Sequence, residues 1–278
     1  MRFLGNVLAT VIGIFVFMML SFFGIILIGV IFGGDSETVE VENNSVIELN
    51  LSDISDDYAG KYSDPWVTAF SERKKIGLTD VINAIEIAET DDAIKGISIL
   101  NTNSSLGMAQ SKELRDALNR FKKSGKFIYS YANNYSQKEY YLNSVATSIY
   151  INPIGELDFK GLSTEVMFFK DFQEKSGLKM EVIRHGKYKS AVEPFLENKM
   201  SDANKEQTMA LLNGIWTNIV EDISKSRNIP VEKLNTIANG LLARTPEMAK
   251  AQNLIDYIAY EDVYHNAIRK VLKVDKDE

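Results

Sequence analysis

The first feature of the chain is an uncharged run from Val7 to Phe32, filled mainly by Leu, Ile, Val, Phe and Met. At about 1.5 Å per helical residue, this run crosses the roughly 30 Å hydrocarbon core of a membrane with some excess for tilt. A cleavable signal peptide would have a shorter apolar region and a small-residue cleavage site. The pattern therefore predicts a transmembrane signal anchor over residues 1–34.

The flanks of this run predict its orientation. Arg2 and the amino terminus precede it, and four acidic residues follow it up to Glu42. Because positive charge stays on the cytoplasmic side, the N-terminus is expected in the cytoplasm. Residues 35–44 are interpreted as an acidic linker. The rest of the chain is expected outside the cytoplasmic (inner) membrane, in the periplasm if the cell is Gram-negative.

Beyond the linker, short apolar runs alternate with segments of helical periodicity. The predicted strands cover 45–51, 93–100, 126–132, 148–153 and 179–186, and the predicted helices start near Thr79, cover 110–123, start near Ser136 and cover 165–175. Alternation of this kind indicates right-handed βαβ units and a largely parallel sheet. The sequence therefore predicts an α/β domain over residues 45–278, interrupted by a turn-rich loop or arm at 52–66.

The C-terminal third is predicted to be mainly helical. A long helix over 203–225 carries an apolar stripe that we interpret as core or subunit interface. The stripe comprises Met209, Leu212, Trp216, Ile219 and Ile223. Further on, Thr245 is a predicted helix cap and Pro246 occupies the first helical position.

Composition excludes several classes of function. The formal net charge of −7 disfavours binding to nucleic acid through the phosphate backbone. The absence of cysteine excludes disulfides, thiolate metal sites and a cysteine nucleophile. His185 and His265 lie far apart and neither belongs to a metal-ligand spacing. We therefore expect neither a metal nor a cofactor.

Four sequence stretches carry a resemblance to a known family. They are SGKFIYSYANNYSQKEYYLNSVATSIYINPIGELDFKG at 124–161, GKYKSAVEPF at 186–195, MSDANKEQ at 200–207 with the long helix, and NGLLARTPEMAKAQNLID at 239–256. Together they resemble the signal peptide peptidase A (protease IV) family, and specifically the N-terminal half of its long bacterial form. The last stretch also resembles the broader crotonase and Clp-protease superfamily, so the resemblance implies a crotonase-like fold.

The resemblance implies a membrane-anchored serine endopeptidase that degrades cleaved signal peptides with a Ser–Lys dyad and works as a homo-oligomeric ring. By the motif match, Lys189 is the general base. In the long form the nucleophilic serine lies in the C-terminal half, which the chain ending at Glu278 is expected to lack. Hydrophobic peptides, the membrane and that serine-bearing half are the expected partners.

A lysine base must lose its proton near neutral pH, and the motif contains two candidates, Lys187 and Lys189. A serine hydroxyl becomes a good nucleophile when a neutral lysine takes its proton. Lysine has a pKa of about 10.4, so burial must lower it by about three units, a differential solvation of roughly 4 kcal/mol. Ala191 and Val192 follow Lys189, whereas Lys187 adjoins Gly186, where exposure is expected. From the residues alone either lysine is a surface residue; the resemblance selects Lys189.

Ser136 is the candidate nucleophile within the chain, and it has a structural alternative. Ser136 and Glu139 have the spacing of a helix capping box. Gln137 and Lys138 stand where the family has glycines after its serine, and NTNSSLGMA at 101–109 lacks the proline and paired glycines of an oxyanion turn. We interpret Ser136 as a cap.

Other polar residues of the motif have simpler interpretations. Glu193 and Pro194 are expected to shape the loop, with a supporting polar contact to the active site as the alternative. Ser190 is expected to satisfy backbone groups, with orientation of the lysine as the alternative. Two alternative functions remain open: a non-catalytic crotonase-fold membrane scaffold or assembly subunit, and an acyl-CoA enzyme. The expected extracytoplasmic placement argues against the second, because CoA is cytoplasmic.

Overall fold

The computed structural model describes residues 2–32, 41–54, 57–58, 76–101, 103–178, 180–183 and 185–275. They fall into two compact units, Met1–Val41 and Glu42–Glu278. Most of the predicted linker at 35–44 and of the predicted loop at 52–66 lies outside the described residues.

The first unit is a single long helix, α1 (Arg2–Phe32). Its span from Arg2 to Leu27 is long and apolar enough to cross a membrane, and none of the most apolar stretch of this span is buried. Helices of this kind, exposed and apolar on all sides, need an apolar surrounding rather than water.

The second unit is built on a five-stranded parallel sheet in the order β1-β2-β3-β4-β5. Its strands are β1 (Ser45–Asn50), β2 (Ile94–Leu100), β3 (Phe127–Ala132), β4 (Ser148–Ile151) and β5 (Tyr257–Ile258). Its helices are α2 (Leu78–Thr90), α3 (Met108–Lys123), α4 (Gln137–Asn143), α5 (Lys170–Ser176), α6 (Glu193–Leu196), α7 (Asp202–Arg227), α8 (Val231–Asn239), α9 (Pro246–Ala251) and α10 (Glu261–Leu272). The predicted α/β class is confirmed.

The two faces of the sheet bury different side chains because successive strand residues point to opposite sides. Ile97, Ile128 and Ile149 lie on the face that packs in the main core with α2, α3 and α4. The opposite face is aromatic: Tyr131 and Tyr150 belong to a second buried cluster with residues of α10. The alternation of side chains along the strands therefore gives the sheet one aliphatic face and one tyrosine-rich face.

The predicted strand at 179–186 is wrong. The described residues of this stretch, 180–183, 185 and 186, form neither strand nor helix, and Ile183 is fully exposed. An apolar run becomes a buried strand only where a neighbouring strand and a covering layer accept it, and the five-stranded sheet makes no pairing with these residues. The helix predicted at 165–175 forms only as α5, which starts at Lys170.

The apolar stripe of α7 is divided along the helix. Ile219 and Ile223 are buried in the main core, and Trp216 packs partly against it. Nearer the helix start, Met209 is exposed and Leu212 is partly exposed. Only the second half of the predicted stripe is therefore core within this chain.

Candidate active site

Lys189 lies in an irregular turn between α5 and α6. Gly186 has a φ of 108°, a backbone conformation that favours glycine, and its carbonyl accepts a hydrogen bond from the Lys189 N–H at 3.3 Å. The Glu193 N–H then donates to the Ser190 carbonyl at 2.9 Å, where α6 begins. The sequence motif thus folds as two short turns that present the lysine on the surface.

The lysine turn borders an open cavity of about 590 Å³. The lining residues are Val182, Ile183, His185, Tyr188, Lys189, Ser190, Ala191, Val192 and Gln207. Ala191 and Val192, the apolar residues expected to surround Lys189, do line this cavity, but Lys189 itself is exposed. The described part of the chain therefore places apolar groups beside the lysine without covering it.

Lys187 occupies a different environment from Lys189. Its ammonium donates to the Tyr188 hydroxyl at 3.1 Å and pairs with the Glu206 carboxylate at 3.2 Å. The Tyr188 hydroxyl donates to the same carboxylate at 3.3 Å. These hydrogen bonds to Tyr188 and Glu206 raise the pKa of Lys187. Lys187 is therefore held protonated on the surface.

Glu193 fixes the other end of the lysine turn. Its side chain is buried, and one carboxylate oxygen accepts from the Ser201 N–H at 3.2 Å and from Asn204 Nδ2 at 3.0 Å. The other oxygen accepts from the Ser201 hydroxyl. Ser201 is also the cap of α7, so the carboxylate joins α6 to the first turn of α7. Glu193 shapes the loop, as its position in the sequence indicated.

Ser136 is the N-terminal cap of α4. Its hydroxyl accepts from the Glu139 N–H at 3.3 Å, and the Glu139 carboxylate accepts from the Ser136 N–H at 3.0 Å. The same carboxylate accepts from the Ser104 N–H at 3.0 Å. Burial works to raise the pKa of the Glu139 carboxyl, but hydrogen bonds from Ser136, Ser104 and Asn101 outweigh it and lower that pKa. The predicted capping box is confirmed.

A polar cavity of about 460 Å³ lies beside Ser136 at the carboxyl ends of β2 and β3. It is lined by Asn101, Asn103, Asn133, Asn134, Tyr135, Ser136, Glu139, Glu156 and Asp158. Behind it, Asn143 donates to Asn101 Oδ1 at 2.8 Å and accepts from the Ser130 hydroxyl at 2.7 Å. Sequence reasoning missed this buried amide pair, because residues 42 positions apart carry no local signal of their contact.

Four tyrosines close in sequence to Ser136 are buried: Tyr131, Tyr135, Tyr140 and Tyr141. Of these, Tyr135 also lines the polar cavity. Among the described residues, no group of three or more histidine, aspartate or glutamate side chains is placed to hold a metal ion.

Comparison with known proteins places these features in a family. The model of peptidase family S49 matches residues 120–275, more than half of the chain. The sheet of parallel strands and alternating helices makes the chain a crotonase- and ClpP-like α/β protein. Within that class, the chain belongs to peptidase family S49.

Three curated relatives carry protease names. Protease 4 of Haemophilus influenzae is 36% identical over 220 residues, which cover 76% of this chain and 35% of that protein. Protease 4 of Salmonella typhi is 33% identical over 210 residues, 72% of this chain and 34% of that protein. The chloroplastic serine protease SPPA of Arabidopsis thaliana is 30% identical over 238 residues, 86% of this chain and 34% of that protein. The chain thus spans about a third of the length of these relatives.

Proposed function

We propose that this chain supplies the general-base half of a membrane-anchored Ser–Lys endopeptidase that degrades cleaved signal peptides. Lys189 takes the proton from a serine hydroxyl as it attacks the peptide carbonyl, and later from the water that hydrolyses the acyl-enzyme. The serine belongs to a second domain of the same family, in the same or another polypeptide. Membership of peptidase family S49 and the protease names of the relatives support this proposal.

The contrast between the two lysines of the motif carries the proposal. Lys187 is engaged by Glu206 and Tyr188, and its raised pKa keeps it protonated, so it is unsuited to act as a base. Lys189 borders the cavity beside apolar Ala191 and Val192. A second domain packed over this exposed turn would remove water from Lys189 and favour its neutral form.

The hydrogen bonds of Ser136 support a nucleophile that lies outside this chain. Its hydroxyl accepts from the backbone N–H of Glu139 and its own N–H is bound by the Glu139 carboxylate. A serine in this arrangement stabilises the start of a helix. We therefore expect the 278-residue chain alone to have little or no peptidase activity.

The membrane part of the proposal rests on α1. We propose that this helix spans the cytoplasmic membrane with its N-terminus inside, so that the α/β unit meets hydrophobic peptides as they leave the membrane. A reporter that is active only outside the cytoplasm, fused after Glu278, should be active. Activity from a cytoplasm-specific reporter at the same point would refute this orientation.

The dyad is tested in the assembled enzyme. The chain is expressed with a serine-bearing domain from the same family and assayed on a fluorogenic hydrophobic peptide. Lys189→Ala should lower kcat by about 10²–10⁴-fold, the usual contribution of a general base. Lys189→Arg should be equally inactive, because a guanidinium stays protonated.

Lys187→Ala is the matched control, since it removes the neighbouring lysine of the same turn. It should leave most of the activity intact. Normal turnover in Lys189→Ala would exclude this residue as the base. Turnover by the chain alone that disappears in Ser136→Ala would instead show that the dyad is internal.

A second candidate function is a non-catalytic scaffold or assembly subunit. The capping box at Ser136 favours it, because the slot in which the family's other half carries its nucleophile is occupied here by a structural hydrogen-bond network. The two candidates differ in one result. A scaffold would support an assembled, active complex in which Lys189→Ala has no effect.

A further inference from the structure

We propose that Glu193 is a positioning residue for Lys189: its buried carboxylate fastens the lysine turn to the first turn of α7. The inference rests on the proposed function, in which Lys189 is the base. Glu193 itself touches neither substrate nor the reacting atoms in this proposal. It acts by fixing where the lysine lies.

The burial pattern singles out this residue. Among the described residues from Lys160 to Asn218, Glu193 alone is buried, with 3% of its surface exposed. An acidic side chain is an unusual choice for the single buried position of a long exposed region, because a carboxylate loses hydration on burial. Its burial therefore depends on the hydrogen bonds that replace water.

Three of these hydrogen bonds come from the start of α7. Ser201 donates through both its N–H and its hydroxyl, and Asn204 donates through Nδ2. Hydrogen bonds to a carboxylate are stronger than neutral ones, and the N-terminus of a helix favours negative charge. Because α7 continues into the main core at Ile219 and Ile223, this anchor connects an exposed turn to the packed domain.

Short backbone links carry the constraint from Glu193 to Lys189. The Glu193 N–H donates to the Ser190 carbonyl, the residue next to Lys189, and the Lys189 N–H donates to Gly186. On its other side, α6 is held by the Phe169 N–H, which donates to Pro194 at 2.6 Å. The carboxylate is thus a buried fastening of the lysine turn, beside the Phe169–Pro194 hydrogen bond and the hydrogen bond from Gln173 Nε2 to the Phe195 carbonyl.

Catalysis by a base depends strongly on such fastening. The base must come within about 2.6–3.2 Å of the hydroxyl that it deprotonates. A misplacement of about 1 Å can lower the rate by about 10²-fold. Removing the carboxylate leaves the Ser201 and Asn204 donors without their acceptor and releases the turn, so it should affect the chemical step more than substrate binding.

The kinetic test uses the full chain assembled with a serine-bearing family domain. Glu193→Ala should lower kcat by about 10–100-fold while KM changes by less than about threefold. Glu193→Gln keeps the shape and most of the hydrogen bonds, so it should recover part of the lost kcat. Glu197→Gln, an exposed glutamate four residues further on, is the matched control and should behave as the unmodified enzyme. An unchanged kcat in Glu193→Ala, or a rise in KM alone, would overturn the proposal.

A second measurement does not depend on peptidase activity. In the full chain, trypsin cleavage after Lys187 and Lys189 reports local opening of the turn, and Glu193→Ala should speed it by about tenfold. Glu197→Gln should not. Unchanged cleavage in Glu193→Ala would refute the fastening, whatever the activity. Faster cleavage together with full activity of Lys189→Ala would keep the fastening and refute the proposed base.

Discussion

The sheet and the lysine-bearing region of this protein are held together by different forces. In the sheet, Ile128, Ile149 and Ile151 have no exposed surface, and apolar burial carries the fold. Between Lys160 and Asn218, the single buried described residue is a carboxylate, and apolar side chains face solvent. These exposed side chains include Met167, Phe172, Leu178, Met180 and Ile183. The sheet packs in a core that this chain forms itself, whereas the described part of the lysine region leaves large apolar side chains exposed.

The same contrast separates the two residues considered for catalysis. Ser136 belongs to the packed region, where its hydroxyl and backbone are committed to a capping box. Lys189 belongs to the exposed region, in a turn closed by the hydrogen bond from its own N–H to the Gly186 carbonyl. The hydrogen bonds of Ser136 argue against its acting as a nucleophile, and the exposed position of Lys189 is compatible with the proposed contact to a serine of a second domain.

The largest effect is expected from removing Arg115 from the packed region. Its guanidinium is buried and donates to Ser144 at 2.7 Å, to the Asp222 carbonyl at 2.8 Å, and to Tyr141 and Ser226. Arg115→Ala should lower the free energy of unfolding by about 3–5 kcal/mol, because it leaves a cavity and several buried acceptors unpaired. Chemical denaturation of the detergent-solubilised chain measures this.

Arg120 on the same helix provides the control for Arg115. It is half-exposed and pairs with Glu86 at 2.8 Å. Because exposed ion pairs contribute little, Arg120→Ala should change the unfolding free energy by less than about 1 kcal/mol. Equal losses in the two variants would show that burial does not distinguish these arginines, and the contrast between packed and exposed regions would lose its support.

A pair of isoleucines tests the contrast directly. Ile149→Ala should cost about 2–5 kcal/mol of unfolding free energy, since it removes a fully buried side chain from the sheet. Ile183→Ala changes the same residue type in the lysine region and should stay within about 0.5 kcal/mol, because Ile183 is fully exposed. A large loss at Ile183 in the chain alone would mean that this segment is already packed.

Local patterns predicted the elements whose burial is complete within the chain. The helix expected at 110–123 is α3, Met108–Lys123, and the strand expected at 126–132 is β3, Phe127–Ala132. Helical and strand periodicities are reliable there because one side of each element packs in the same chain. The run at 179–186 has the composition of a strand, but composition does not say whether a neighbouring strand exists. The two-residue strand β5 was too short to predict.

The candidate site was predictable only where its contacts are local. The capping box joins residues three apart and follows from the sequence. Glu193 contacts Ser201, eight residues further along the chain, and Asn204, eleven residues further along. In the packed region, Arg115 donates to the Asp222 carbonyl, 107 residues away. Such contacts depend on the tertiary path of the chain, which single-sequence patterns do not specify.

A smaller effect is expected at the cap of α4. Ser136→Ala should cost about 1 kcal/mol of unfolding free energy, the usual value for a lost helix cap. Ser201→Ala, at the cap of α7, is a comparison variant in the lysine region. The proposed external nucleophile predicts that Ser136→Ala leaves the turnover of the assembled enzyme unchanged, and loss of that turnover would contradict it.

The Glu139 carboxylate of the same capping box makes the free energy of unfolding depend on pH. Its carboxyl has a lowered pKa in the folded chain, whereas the unfolded value is about 4.3. The stabilisation is therefore fully present above that unfolded value and is lost as the pH falls through the folded pKa. Glu139→Gln should unfold more easily than the unmodified chain at pH 7, and the difference should shrink below about pH 4. A difference that stays constant down to that pH would contradict an ionised Glu139 in the cap.

The smallest effect is expected for the ion pair of Lys187 with Glu206. Both side chains are mostly exposed and the two charged groups lie 3.2 Å apart, so solvent and salt weaken their attraction. Lys187→Ala should leave the unfolding midpoint of the chain unchanged within experimental error. Raising the salt concentration should shift the unfolding midpoints of the unmodified chain and of this variant by the same amount. A clear loss of stability would show that the pair helps to hold the lysine turn, in addition to the Glu193 carboxylate and the hydrogen bond of Phe169 with α6.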